Sequence, residues 1–232
     1  MKNVKKRLFF VFFQSIVVLF CLNGQQIVTA ERFLENVSEK YAAFNDYEAR
    51  IAISSGSTDM YGTVVHKTPN FLRIDFTTPS EQVIVFNGDM LTVYLPEYRA
   101  ILNQSVSSSH SSGANLATAQ GLSLLRRNFA AAFLTGPDPV PLDEEAQGAR
   151  EMVVKLRLTR RYGSEGFREI ILSIDPVSLL IRRMQGTTIA DIQVQFDFSD
   201  IKTNQGIPDR RFMYDSPPSA NLYNDFLFRD TE

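Results

Sequence analysis

The spacing of hydrophobic positions changes along the chain, and each change marks a structural element. Between Glu31 and Phe44, apolar residues recur every three or four positions, which is typical of an amphipathic helix. From Asp46 the spacing falls to two in the stretch DYEARIAI, which predicts a half-buried strand. The mature chain therefore starts with a helix that runs directly into a sheet.

Further strands are predicted at short intervals. They cover residues 60–66 and 71–76, and then two stretches joined by Asn87-Gly88, the strongest two-residue hairpin signal. PEYRAILNQ continues the sheet, and the last third alternates again at residues 152–160, 167–175, 179–185, 190–198 and 211–215. Roughly ten strands with short connections predict a mostly β, α+β fold whose antiparallel sheet curls or closes.

A second helix is predicted after a Ser-, Gly- and Ala-rich loop at residues 105–121. In GLSLLRRNFAAAFLTG, an apolar stripe is followed by Gly136 at the position of a C-terminal cap. The stripe consists of Leu122, Leu125, Phe129 and Phe133.

Apolar residues crowd both faces of the strands between His66 and Tyr94. A strand covered on both faces has this composition. We expect one face to pack the fold and the other to hold a ligand.

The first thirty residues have the organisation of a secretory signal peptide. A basic start is followed by a long apolar run, and Val28 and Ala30 are small residues suited to a cleavage site. A retained membrane anchor is the alternative. We expect a mature domain of residues 31–232, which contains no cysteine because Cys21 lies in the signal.

The charge of the mature chain argues against nucleic acid as a partner. Removing the signal leaves 20 basic and 26 acidic residues, a net charge of −6. Contact with phosphate backbones requires a concentrated basic surface instead.

No catalytic or metal-binding pattern emerges from the sequence. His66 and His110 lie in different kinds of segment, and we expect two surface imidazoles rather than a metal site. The carboxylate pairs Glu169/Asp175 and Asp191/Asp197 alternate with apolar residues, as on the solvated face of a strand. We expect no enzyme activity, no metal and no cofactor.

The stretch HKTPNFLRIDFTTPSEQVIVFNGDMLTVYLPE resembles the LolA family, the periplasmic carriers of bacterial outer-membrane lipoproteins. The shared features are Lys67 and Pro69, an aromatic-rich strand, Thr77-Thr78-Pro79, a hydrophobic strand, the Asn87-Gly88-Asp89 hairpin and a strand ending near Pro96. The first helix and the end of the chain, DFSDIKTNQGIPDRRFMYDSPP, also fit the family.

This resemblance implies a strongly curved antiparallel half-barrel with helices forming a lid over the concave face. It also implies a periplasmic chaperone that binds the acyl chains of lipoproteins in a hydrophobic cavity. Such a monomer receives its cargo from an inner-membrane lipoprotein-releasing transporter complex and passes it to an outer-membrane acceptor. Acyl chains need only apolar area, and each buried methylene contributes about 0.8 kcal/mol.

The expected cavity combines sheet and lid residues. For each of them the alternative is an ordinary core position, and only the excess of apolar faces favours a cavity. The candidates are Leu72, Ile74, Phe76 and Ile84 on the sheet, with Leu34, Tyr41, Leu122, Leu125, Phe129 and Phe133 on the helices.

The chain departs from the family at the residue before Pro69. The family commonly has an Arg there, which holds the lid helices, and this chain has Thr68. The candidates for a lid latch are therefore Lys67, Thr68 and Arg73. Alternative functions are a lipid- or glycolipid-binding protein, a ligand-sensing module with the same half-barrel, and, least favoured, a hydrolase.

Overall fold

The computed structural model describes residues 28–106, 117–144, 150–162 and 166–226. Its helices are α1 (Ala30–Ala42) and α2 (Ala119–Asn128), with short 3-10 helices at Pro96–Tyr98 and Asp209–Phe212. Its strands are β1 (Asp46–Ser55), β2 (Thr58–Lys67), β3 (Phe71–Thr78), β4 (Val83–Phe86), β5 (Met90–Leu95), β6 (Ala100–Ser105), β7 (Phe129–Phe133), β8 (Val140–Pro141), β9 (Met152–Arg160), β10 (Phe167–Ile174), β11 (Ile181–Thr188), β12 (Gln193–Thr203) and β13 (Asn221–Asn224). Residues 1–27 of the predicted signal peptide and His110 lie outside the described residues.

The described strands form one open, curved sheet. Its order is β13-β6-β5-β4-β3-β2-β1-β12-β11-β10-β9-β7, and β8 also pairs with β9. The pairing is antiparallel except between β13 and β6. This confirms the predicted mostly β, antiparallel half-barrel with helices on its concave face. The estimate of ten strands was too low, because β7, β8 and β13 were not recognised.

The first helix begins one residue before its predicted start and ends two residues before its predicted end. Thr29 caps it, since its Oγ1 accepts a hydrogen bond from the Arg32 N–H at 3.2 Å. Leu34, Val37 and Tyr41 lie on its buried face. The helical periodicity in the sequence therefore identified the side that faces the sheet.

The second helix ends at Asn128, so the prediction of a helix up to Gly136 was wrong. Phe129 and Phe133 lie on β7, which pairs with β9. The sequence FAAAF fits either structure, because residues four apart share a face in a helix and residues two apart share one in a strand. The edge of β9 supplies backbone partners, and the strand then places both aromatic rings on the concave side, where Phe129 is buried and Phe133 is half-buried.

The convex face of β2–β5 is covered by the C-terminal segment, residues 207–214. Phe212 is only 1% exposed and forms a hydrophobic cluster with the three strand valines Val65, Val83 and Val85. The apolar character of these strands on both faces is therefore explained by the chain's own residues. The pattern by itself does not require a ligand.

The same segment corrects the prediction of a strand at residues 211–215. Asp209–Phe212 forms a 3-10 helix after Pro208, and the Arg73 side chain donates to the carbonyls of Arg211 and Met213 at 3.2 and 3.0 Å. The segment lies across the face of the sheet rather than along its edge, so it forms no ladder.

A buried carboxylate anchors the turn that leads into this segment. Asp46 accepts hydrogen bonds from the backbone N–H groups of Gln205, Gly206 and Ile207 at 2.7, 3.0 and 3.1 Å. These three bonds satisfy an acid that is 2% exposed. They join the start of β1 to the chain beyond β12.

Candidate functional site

The two helices and the concave face of the sheet share one hydrophobic cluster. Leu34 and Tyr41 of α1 and Leu122 and Leu125 of α2 are each at most 6% exposed. Phe33 of α1 meets Phe133 of β7 with ring centroids 6.3 Å apart. The helices therefore lie directly on the sheet as a cover.

The strand register brings the predicted sheet residues together. Ile74 faces Val64 on one side and Ile84 on the other, while Leu72 faces His66 and Phe86. Leu72 and Phe76 are buried in the cluster, and Ile74 and Ile84 are half-buried against it.

The row that contains Ile74 continues beyond the two predicted residues. Ile84 is paired with Val93, and Val93 with Leu102. Ile74, Ile84, Val93 and Leu102 are all half-buried, and we call them the open apolar row. It extends the covered cluster to an accessible apolar surface on the concave face.

Two tyrosine hydroxyls link the helical cover to the sheet by hydrogen bonds. The Tyr41 Oη accepts a hydrogen bond from the Ile181 N–H at 3.1 Å, and the Tyr47 Oη donates to the Ala117 carbonyl at 3.0 Å. Burial raises the pKa of Tyr41 to about 12 and also raises that of Tyr47. Both phenols therefore stay protonated at neutral pH, and Tyr47 keeps the proton that it donates to the Ala117 carbonyl.

An ion pair joins the two helices. The Arg126 guanidinium donates to the Glu35 carboxylate at 2.7 Å, and Arg32 binds the same carboxylate. Hydrogen bonds from Arg32 and Arg126 lower the pKa of Glu35. Tyr41 was a predicted cavity residue, but Tyr47 and this ion pair were not recognised from the sequence. For the ion pair, the available signal was the acidic and basic residues on the two helices.

The three candidates for a lid latch lie in two places. Lys67 donates to the Ile207 carbonyl at 2.8 Å, and Arg73 binds the same C-terminal segment. Both therefore hold that segment on the convex face, opposite Leu72 and Ile74. Of the three side chains, only that of Thr68 bonds the chain next to α1: its Oγ1 donates to the Asn45 carbonyl at 3.0 Å.

His66 is buried rather than on the surface, contrary to the prediction. It is 5% exposed and stacks on Tyr47 with ring centroids 5.3 Å apart. Burial lowers its pKa to about 4, although the Asp46 charge acts in the opposite direction. A neutral imidazole therefore packs at the base of the concave face.

The carboxylate pairs lie in ion pairs or turns. Asp197 and Glu169 bind Arg183 and Arg157, at 2.5 and 3.3 Å, and Asp175 caps a turn through the Val177 N–H at 2.7 Å. Within the described residues, no cluster of His, Cys, Asp and Glu could hold a metal ion. Neither described helix is long and apolar enough to cross a bilayer.

Comparison with known proteins identifies the family. Residues 53–215 match the model of the outer membrane lipoprotein carrier protein LolA. The chain belongs to the LolA family.

Relatives with established names agree with this membership. An outer-membrane lipoprotein carrier protein of Haemophilus ducreyi is 32% identical over 107 residues, which are 45% of this chain. The match spans only half of that protein's length. One of the same name from Pseudomonas aeruginosa is 22% identical over 161 residues, covering 69% of this chain and 70% of that protein.

A solved structure supports the fold. An uncharacterised conserved protein from Thermus thermophilus superimposes with a TM-score of 0.53 and covers 84% of this chain and 98% of its own. At 13% identity, this likeness shows the fold alone.

Proposed function

We propose that this LolA-family protein is a periplasmic carrier of lipoproteins, exported by the signal at residues 1–30. It holds the acyl chains of its cargo between the two helices and the concave face of the sheet. It receives lipoproteins from an inner-membrane releasing transporter and passes them to an outer-membrane acceptor. Family membership and the names of its relatives support this role.

The open apolar row is the observation that carries the proposal. It joins a cluster covered by helices to an apolar surface that remains accessible. Hydrocarbon entering beside Ile74 and Ile84 exchanges water for side-chain contacts at about 0.8 kcal/mol per methylene. Several chains therefore supply enough free energy to displace a cover.

The cover is suited to displacement. The Glu35–Arg126 ion pair is partly exposed and therefore weak, which leaves the apolar contacts and a few hydrogen bonds to hold the helices. A carrier must release what it binds, so the open and closed states have to differ by only a small free energy.

The binding surface combines the predicted residues with those that the register adds. Phe129 and Phe133 contribute from β7, and Val93 and Leu102 extend the surface. The full set is Leu34, Tyr41, Leu72, Ile74, Phe76, Ile84, Val93, Leu102, Leu122, Leu125, Phe129 and Phe133.

A charge in the open apolar row tests the proposal. Ile74 is half-buried, so we expect Ile74→Glu to fold normally while the carboxylate opposes hydrocarbon at this position. Release of lipoproteins from inner-membrane vesicles should fall by about tenfold or more, which corresponds to at least 1.4 kcal/mol of binding.

The matched control is Tyr61→Glu on the convex face of β2. Tyr61 is 49% exposed and lies opposite Ala52, away from the helices. It should release lipoproteins like the wild type. Full transfer activity of a folded Ile74→Glu variant would refute the assignment of the site.

The same surface also suits a lipid- or glycolipid-binding protein, or a ligand-sensing module. Native mass spectrometry of the protein purified from cells distinguishes these functions. A lipoprotein adduct supports the carrier; free lipid with no lipoprotein adduct supports the alternatives.

A further inference from the structure

A charged pocket of about 540 Å³ lies where the first turns of α1, the end of α2 and β7 meet. Its volume is in the range of pockets that hold small organic ligands. Its charged lining residues are not among the residues proposed above to hold acyl chains.

Four arginines line this pocket: Arg32, Arg126, Arg127 and Arg161. Only two carboxylates, those of Glu31 and Glu35, line it with them. The lining therefore has a net charge of +2, whereas the whole chain has −2. Such a concentration of guanidinium groups favours an anion.

Two of the arginines are available to a ligand. Arg32 and Arg126 share Glu35. Arg161 donates through Nε to the Phe129 carbonyl at 3.0 Å, which orients its guanidinium, and its other contact is with Glu31, whose side chain is 64% exposed, so that this ion pair is weak. Arg127 has no carboxylate within ion-pair distance in the described part of the chain.

Apolar residues also line the pocket. Leu34, Phe129 and Ala131 line it, and they also belong to or pack against the hydrophobic cluster beneath the helices. The pocket thus places guanidinium groups at the edge of the surface proposed to hold acyl chains. A molecule with an anionic head and hydrocarbon tails matches both the charged and the apolar part of this lining.

We propose that this pocket binds the anionic phosphate head group of an acyl lipid, through Arg127 and Arg161, while the chains enter between the helices and the sheet. Guanidinium and phosphate form charge-assisted, often bidentate hydrogen bonds. This inference rests on the proposed acyl-chain binding and adds a second ligand to it, a free anionic lipid, because the lipid anchor of a lipoprotein carries no phosphate.

Calorimetric titration of the full mature domain tests it with three soluble probes. These are dihexanoyl-phosphatidylglycerol below its micellar concentration, neutral dihexanoylglycerol and inorganic phosphate. We expect the anionic lipid to bind about tenfold more tightly than the neutral one, and phosphate alone to bind more weakly than either lipid.

Arg127→Gln provides the matching variant, because an exposed side chain can be replaced without unfolding the protein. It should lose most of the preference for the anionic lipid and keep its affinity for dihexanoylglycerol. Arg210→Gln is the control, since Arg210 is an exposed arginine on the 3-10 helix of the C-terminal segment. It should behave like the wild type.

The possible failures are distinguishable. Equal affinity for the two lipids, or an unchanged preference in Arg127→Gln, would overturn the head-group site and leave acyl-chain binding intact. Phosphate that competes at the same concentration as the anionic lipid would show a site for free anions. If neither lipid binds, the proposed function itself is wrong.

Discussion

Tyr41 and Tyr47 combine a buried ring with a bonded hydroxyl at the base of the helical cover. Their rings lie 6.3 Å apart in an edge-on arrangement. Tyr41 ties α1 to the start of β11, and Tyr47 ties the segment before α2 to β1. One hydroxyl therefore holds α1 against β11, and the other holds the segment before α2 against β1.

Removing one of these oxygens should loosen the cover. Tyr41→Phe leaves the buried Ile181 N–H without its partner, and we expect unfolding to require about 1–3 kcal/mol less. Urea denaturation at an unchanged m-value measures the loss. Tyr61→Phe, at an exposed position, is the control and should differ little. Equal stability of the two variants would show that the Tyr41 bond contributes nothing.

His66 makes stability depend on pH. Its folded-state pKa of about 4 lies below the ordinary value of 6.5, so only the unfolded chain takes up a proton between these values. Its contribution is therefore complete above pH 6.5 and is lost as the pH falls towards 4. The loss amounts to about 3 kcal/mol.

The comparison with His66→Gln isolates this contribution. The variant should lose about 3 kcal/mol less than the wild type between pH 7 and pH 4, as measured by denaturation at each pH. Titration of the imidazole signals by NMR gives the pKa directly, with a His110 variant to assign them. A His66 pKa near 6.5 in the folded protein would contradict its burial.

At the scale of elements, local pattern predicted the long strands well and failed where two structures suit the same residues. FAAAF fits both a helix and a strand, and only the free edge of β9 decides between them. Alternation in RFMYD indicated a strand, but the burial of Phe212 on a sheet face produces the same pattern. In both cases the structure was determined by contacts with residues distant in the sequence, which a short stretch of sequence does not reveal.

The C-terminal segment should contribute strongly to stability. Phe212→Ala removes a ring that is 1% exposed from the cluster with Val65, Val83 and Val85, and we expect a loss of about 3–5 kcal/mol. Thermal or urea unfolding measures it.

The neighbouring residue supplies the control. Met213 is 72% exposed, so Met213→Ala should change stability by less than about 0.5 kcal/mol. A similar, small effect of both substitutions would mean that the segment does not pack on the convex face in solution.

At the scale of the molecule, the two faces of the sheet are covered by different parts of the chain. Helices cover the concave face, the C-terminal segment covers part of the convex face, and ion pairs such as Arg183–Asp197 lie on the remaining convex surface. Family resemblance predicted this architecture and most of the candidate surface. Val93 and Leu102 were missed because apolar residues on both faces conceal which side points inward, and only the strand register resolves it.

The central claim is that another molecule's acyl chains lie on the concave face beside Ile74. A photo-crosslinking amino acid placed at Ile74, and at Tyr61 as the control, tests this contact in cells. We expect a lipoprotein adduct from position 74 alone, and its loss when the cargo lacks its lipid-bearing cysteine. Equal crosslinking from both positions, or an adduct that persists with unlipidated cargo, would contradict the claim.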